Sequence, residues 1–493
     1  MSPPPSPSGE PPRLRIGLWA LLAALAALRL LAAHAIPLTE DEAYYRLWAQ
    51  APRLGYYDHP PMVAWWIWAG VHIAGDTALG VRLLPVLSSL ICTGLVFDLG
   101  QKLPMRGPGQ GAGLLAALLY NATLTVGAGA LLAVPDVPAT LFWVLALWAM
   151  ARTPRTPAFW LCAGAAAGLA CLSKYSALFL APGVLLWLVL TREGRRALAT
   201  PWPWLAAAIA AAVFAPNVLW NAQHHWLTFA KQFGRAAASR FAPRYLGELL
   251  TAQFMLLNPV VAILAGAGAI KAWRTRDPVG LLALATSLPF AAYLVIHSLH
   301  DRVQAHWPVP LYAAAGLLAA LAASDAKGWK RGLAWIAPAG LALAVVGLGY
   351  ASLPVSLLTK GDPADVLRGW PALAEQVEGA GEAHGAAWIG TLSYGVNGLL
   401  QAQPALRLPA LQLNERDRYS DLRPAAVDLS KPGLVVDLKR RLDLKRLKAC
   451  FAEVGAPVEI ARGASPAADA RYLAVPVSGA RSDLLTRGCE ASD

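Results

Sequence analysis

The sequence predicts an all-α polytopic membrane protein followed by a small α/β domain. Three observations carry this expectation. The 493-residue chain is 56% hydrophobic and only 15% charged, and its mean hydropathy is +0.45. It holds about eleven apolar runs near the 17–25 residues that a hydrocarbon core of roughly 30 Å demands. Beyond residue 352 the long apolar runs stop and short alternating segments replace them.

The opening "MSPPPSPSGEPPRLR" is rich in Pro and Ser and reads as a disordered cytoplasmic N-terminus, 1–15. The first apolar run, Ile16–Ile36, is too long for a signal-peptide core and no small-residue cleavage site follows, so it is expected to be retained. Further spans are expected near 78–99, 112–131, 137–151, 158–172, 175–190, 202–217, 251–270, 279–297, 306–323 and 333–351. The connections on one side hold Lys102 and Arg106; Arg152 and Arg155; Arg192, Arg195 and Arg196; Lys271, Arg274 and Arg276; and Lys327, Lys330 and Arg331. The net charge of +12 therefore follows the positive-inside rule rather than forming a nucleic-acid surface. An odd number of spans leaves the region 352–493 outside, as a periplasmic domain after a membrane domain of residues 16–351.

The outer connections carry the chemistry. In "LTEDEAYYRLWAQAPRLGYYDHPPMVAWW", Leu38–Trp66, Thr39 and Glu42 have capping-box spacing. A short surface helix is expected to follow, with Tyr45 and Trp48 on the side of Asp41. Pro52 and Gly55 end it, and "HPP" opens the next helix, where proline suits the first turn. Trp65, Trp66 and Trp68 suit headgroup depth. Glu40 and Glu42 are explained by complementing a helix dipole. Three adjacent acids exceed what a cap needs, and an inward carboxylate at the lipid boundary is costly enough to imply a task.

Asp136, in "LLAVPDVPATLFW", is the only charge between two spans. It is either a turn-forming aspartate or a second functional acid. Lys174, Arg82, Arg29, Lys231, Arg235, Arg240 and Arg244 break the charge asymmetry on the outer side. Singly each reads as a snorkelling cation; as a set they suit a lipid phosphate. His59, His224, His225, His300 and His306 also fall on that side. A divalent metal with Asp58 is conceivable, but no H-x-x-x-H or C-x-x-C spacing supports one, and no cofactor is required.

In the tail, "AAWIGTLSYGVNGLL", "GLVVDL", "LKRLKACFAEVGAPVEIA" and "ARYLAVPV" read as strands alternating with helices. Of five cysteines, Cys450 and Cys489 lie here. An oxidising compartment permits a bridge between them, and two free thiols are the alternative.

The segments "TEDEAYYRLWAQ…YYDHPPMVAW", "VPDVPATLFW", "LACLSKYSALFLAPG" and "HDRVQAHWPVPLY" resemble the bacterial branch of the dolichyl-phosphate-mannose protein mannosyltransferase family, which includes aminoarabinose-transferase-like enzymes. The resemblance covers roughly 15–325. It implies a GT-C fold with an outward-facing cavity and an inverting glycosyltransferase in the bacterial inner membrane. It also implies a polyprenyl-phosphate sugar donor, a lipid-linked, glycan or protein acceptor, and a role in building the cell envelope and its lipopolysaccharide.

By the resemblance, Asp41 deprotonates the acceptor, Asp136 lies in the same cavity, and Glu42 is a further acid of the motif. Tyr44, Tyr45, Tyr57, Asp58, His59, Arg82, Lys174, His225, Arg302 and His306 are the expected substrate-binding set. His59 departs from the family, which often has lysine before the two prolines, near the donor phosphate; this weakens a phosphate role at that position and the exact aminoarabinose activity. The competing reading is a polytopic transporter or lipid flippase. That would place charges and broken helices near the midplane and show inverted repeats, whereas here the charges gather at the outer ends.

Overall fold

A computed structural model of the chain describes residues 12–103, 112–234, 241–324, 332–333, 336–358, 361–419, 422, 427–463 and 470–489. The expected N-terminal tail before residue 12, and Arg106, Arg235, Arg240, Lys327, Lys330 and Arg331, lie outside the described residues. The chain forms two compact units. A helical unit comprises Met1–Ala33, His59–Val63 and Arg82–Leu348, and a mixed unit comprises His34–Asp58, Ala64–Val81 and Gly349–Asp493. The division differs from a cut at 351, because most of the first outer connection packs with the tail.

The first helices are α1 (Pro12–Ala35), α2 (Glu40–Ala49), α3 (Met62–Ala74), α4 (Ala78–Gly100), α5 (Ala112–Asn121) and α6 (Leu124–Gly129). Next come α7 (Asp136–Met150), α8 (Phe159–Ser173), α9 (Leu180–Leu190), α10 (Arg192–Leu198), α11 (Trp202–Gln223) and α12 (Leu227–Gly234). They are followed by α13 (Arg244–Leu256), α14 (Pro259–Thr275), α15 (Pro278–His297), α16 (Tyr312–Ala323) and α17 (Ala339–Ala351).

Among the described residues, four helices are long and apolar enough to cross a membrane: Ile16–Ala35 within α1, α4, α11 and α15. The number rises to six if each of two bent pairs is one span. Two expected spans are broken. The run 112–131 is interrupted between α5 and α6. The run 251–270 bends by 101° between α13 and α14, where Asn258 takes a left-handed φ of 68°. Pro259 favours this break, since a proline pushes the preceding residue out of helical conformation. The Asn258 side chain accepts from the Val260 amide at 3.1 Å and donates to the carbonyls of Ala337 and Ala122 at 3.0 and 3.3 Å.

Packing in the helical unit follows from small residues. Gly164 and Gly168 of α8 form a small-xxx-small stripe against α11. A Cβ on Gly164 would sit 2.3 Å from the Ala206 carbonyl oxygen, and one on Gly168 would sit 2.7 Å from Val213 Cβ. Lipid supplies no hydrophobic drive between helices, so backbone approach through such stripes is what holds apolar helices together. Prolines lie inside α4, α11 and α15, and each removes one backbone donor from its helix.

The tail of the mixed unit is α/β, as expected. It contains α18 (Trp370–Ala383), β1 (Ile389–Thr391), α19 (Tyr394–Gln401), β2 (Ala410–Gln412) and β3 (Gly433–Leu438), then α20 (Leu444–Cys450), β4 (Phe451–Val454), β5 (Val458–Ala461), β6 (Arg471–Ala480) and α21 (Leu484–Arg487). The sheet order is β2-β1-β3-β6-β4, with β5 also on β6. β2, β1 and β3 are parallel, and β6 runs antiparallel to its three neighbours. β3, "GLVVDL", is buried along its whole length, as a central strand covered on both faces must be. One face packs on Trp370, Leu373 and Val377 of α18; the other packs on Trp388, Phe451 and the cysteine pair.

Cys450 and Cys489 form a disulfide across a sequence separation of 39. Chain-entropy reasoning gives a closed loop of this size about 4 kcal/mol of stabilisation. Replacing both cysteines by serine should therefore lower the thermal midpoint of this unit in the purified full-length protein. A midpoint that neither the substitution nor a reductant moves would show that the bridge contributes nothing.

Candidate active site

The helical unit brings together three of the expected site residues. Asp136 opens α7, where an acid complements the helix dipole, and is 3% exposed. Lys174 ends α8 in an extended conformation and is 9% exposed. Its Nζ lies 2.7 Å from Asp136 Oδ1. His306 Nε2 approaches the other oxygen, Oδ2, at 3.7 Å. The Lys174 ammonium also stands 5.7 Å from the Trp307 ring centroid. Beside it is a cavity of about 190 Å³, lined by Tyr175, Phe179, Phe290, Tyr293, His297 and Trp307 among others. A buried ion pair opening onto aromatic walls offers a charged end and apolar sides to a ligand.

Among the described residues, the remaining outer cations have separate local partners. Arg29, fully buried, donates to Ser89 Oγ, Asn121 Oδ1 and the Val126 carbonyl at 2.8–3.0 Å. Arg82 is equally buried and reaches the Ala33 carbonyl at 3.4 Å. Arg244 donates to Tyr245 Oη at 2.7 Å. Arg302 is exposed and pairs with Glu248 at 2.7 Å. A buried or interfacial charge needs a partner of its own, so these arginines are dispersed among local acceptors. Lys231 is half-buried, and His225 is exposed on a left-handed backbone with φ 54°.

The mixed unit holds the first-connection residues up to Asp58, and His59 belongs to the helical unit. Its α2 starts at the expected capping box. Thr39 Oγ1 accepts from the Glu42 amide at 3.3 Å, and Glu42 Oε2 accepts from the Thr39 amide at 3.0 Å. Glu42 is fully buried, and its Oε2 takes part in the cap. Tyr45 is buried against Trp48 at 4.7 Å between ring centroids. Tyr44 donates to Asp58 Oδ2 at 3.1 Å. Burial first, then the Asp58 charge, push the Tyr44 phenol well above its ordinary range, so it stays a donor. Arg418, from the tail, pairs with the same Asp58 oxygen, and its guanidinium lies 5.4 Å from the half-buried Tyr57 ring. His59 is half-buried.

Asp41 is half-buried, and Tyr394 Oη donates to its Oδ1 at 3.1 Å. Tyr394 and Arg418 were not anticipated from sequence. Among the described residues, no group of three or more His, Cys, Asp or Glu side chains is arranged to hold a metal ion.

Residues 58–220 match the family of dolichyl-phosphate-mannose-protein mannosyltransferases. The lipid A galacturonosyltransferase RgtD of Rhizobium johnstonii is 29% identical over 336 residues, a match covering 65% of this chain and 65% of that protein's length. ArnT of Cupriavidus metallidurans bound to undecaprenyl phosphate superposes with a TM-score of 0.68 at 15% identity, covering 94% of this chain and 99% of that one. The archaeal oligosaccharyltransferase AglB of Archaeoglobus fulgidus superposes with a TM-score of 0.50 at 14% identity, covering 79% of this chain and 64% of that one. The chain thus has the GT-C membrane fold, and the resemblance read from its motifs is borne out.

The Asp136–Lys174 pair makes a direct test of the helical site. Lys174→Met should leave a buried carboxylate uncompensated and destabilise the unit by about 3–5 kcal/mol. Asp136→Asn combined with Lys174→Met should recover part of that loss, read from thermal unfolding in detergent. Strict additivity of the two changes would mean the ion pair is not formed in solution.

Proposed function

We propose that this chain is an inverting glycosyltransferase that moves a sugar from a polyprenyl-phosphate donor to a lipid-linked, glycan or protein acceptor at the periplasmic face of the inner membrane. The observation that carries the reading is Asp41, an acid of the family-like motif, held by a tyrosine hydroxyl at 3.1 Å on a helix whose own cap uses the neighbouring Glu42. The GT-C fold and the likeness to a lipid A galacturonosyltransferase support it.

In the proposed step the acceptor oxygen attacks the anomeric carbon while Asp41 takes its proton as general base. The anomeric carbon–oxygen bond to phosphate breaks, and its electron pair leaves on the polyprenyl phosphate. With one displacement and no covalent intermediate, the anomeric configuration inverts. Within the helical unit, Lys174 is held by Asp136 and is a fixed positive charge, of the kind that stabilises developing negative charge without reorganising. The step as written requires no metal.

The test is the purified protein in lipid with a panel of undecaprenyl-phosphate sugars, including a uronic acid, scored for transfer by mass spectrometry. Asp41→Asn keeps the side chain's size and removes its basicity, so transfer should fall by about 10²–10⁴-fold while membrane insertion persists. Near-normal turnover in that variant would remove Asp41 as the base.

Topology is tested separately. A cysteine placed in the Arg192–Arg196 connection should be shielded from a membrane-impermeant thiol reagent in intact cells, and one near Asn414 should react, because basic connections stay inside. The reverse pattern would put the site on the cytoplasmic side and exclude a periplasmic reaction.

A further inference from the structure

We infer that Tyr394, from the C-terminal α/β region, is a positioning residue for the reaction, fixing Asp41 through a hydrogen bond from its hydroxyl. This rests on the assignment of Asp41 as the base. The two residues are 353 positions apart and meet at 3.1 Å within the mixed unit.

Three features fix Tyr394. It is the first residue of α19, and α19 packs directly on α2. A Cβ on Gly395 would lie 2.7 Å from the Glu40 carboxyl carbon, and one on Gly398 would lie 2.8 Å from the Tyr44 amide nitrogen. Only glycine at these two positions lets the helices approach this closely, and the approach sets where residue 394 begins. The Tyr394 ring stands 5.0 Å from the Tyr44 ring. On a further side, the Arg418 guanidinium lies 4.8 Å from the Tyr394 ring centroid, while its charge is held by Asp58. Ring, cation and helix start leave the hydroxyl one well-defined direction, toward Asp41 Oδ1.

A carboxylate has two equivalent oxygens and rotates about its own bond. A donor on Oδ1 restricts that rotation and so fixes the plane in which the carboxylate meets an incoming hydroxyl. Burial, and next the Asp41 charge, push the Tyr394 phenol above its ordinary range, so it remains a donor throughout the pH range in which a carboxylate base is ionised. The tail then takes part in the chemistry instead of merely following it in sequence.

The experiment is a kinetic cycle on the full chain in lipid, using undecaprenyl-phosphate-linked uronic acid with lipid A as acceptor and the other donors of the panel in turn. Tyr394→Phe removes one oxygen and keeps the ring. It should lower kcat by about 10–100-fold, the loss given by one hydrogen bond to a charged group, with KM for donor and acceptor unchanged. In an Asp41→Asn background the same substitution should cost nothing further, because a residue acting through Asp41 has nothing left to orient. Arg418→Lys keeps charge near Asp58 and loses the planar stack on the ring, so it should show a smaller loss in kcat of the same kind.

A full Tyr394→Phe loss in the Asp41→Asn background, a change confined to KM, or no loss at all would overturn the inference while leaving Asp41 as base. Equal turnover by wild type and Asp41→Asn, or no turnover of any donor in the panel, would remove the proposed reaction and the inference with it.

Discussion

A polar group that leaves water must take its partner with it, and much of this structure follows from that constraint. In a bilayer the cost of an unpaired donor, acceptor or charge is several kcal/mol. Arg29 meets it at its two terminal nitrogens, with a serine, an asparagine and a carbonyl inside the helical unit. Asp136 satisfies it with Lys174, and in doing so fixes the ends of α7 and α8 to each other. Lys174 is both held by Asp136 and part of the lining of the aromatic cavity.

The same reasoning separates the acids of the first connection. Glu40, Asp41 and Glu42 are adjacent in sequence and have three different surroundings. Glu42 closes the helix cap. Glu40 abuts Gly395, where it bars any larger residue. Asp41 takes a phenolic hydroxyl on one oxygen. Three consecutive charges look redundant in a sequence; folded, each meets a different element.

What the sequence disclosed was local. The cap at Thr39 and Glu42 depends on a three-residue spacing and was legible. So were the apolar helices, the α/β tail and the isolation of Asp136 between two spans. Pairings over long distances were not. Lys174 stood out as a cation on the wrong side of the charge asymmetry, but that signal pointed to phosphate and was silent about Asp136, 38 residues away. Arg82 and Arg29 carried the same signal and proved to be bonded inside the helical unit. Tyr394 and Arg418 were invisible because a tail with mixed composition gives no periodicity that singles out one tyrosine. The pair "YG" followed by "VNG" was the available clue, two glycines three apart at a helix start. The break at Asn258 was written as Asn-Pro, but lay hidden in an apolar run long enough to pass for one span.

That break turns α13 into a lever. Its fulcrum is Asn258, tied by its side chain to two carbonyls distant in sequence. Its arm is 13 residues, about 20 Å at the rise of an α-helix. A 10° change at the fulcrum would swing the far end by roughly 3–4 Å over that length. The arm is coupled along its length to one loop: Gln253 donates to the Ala305 carbonyl at 2.9 Å, and Glu248 pairs with Arg302 at 2.7 Å. The next residue in that loop is His306, which faces Asp136. α13 and this loop are therefore tied at two points, next to the histidine that approaches the buried acid at 3.7 Å.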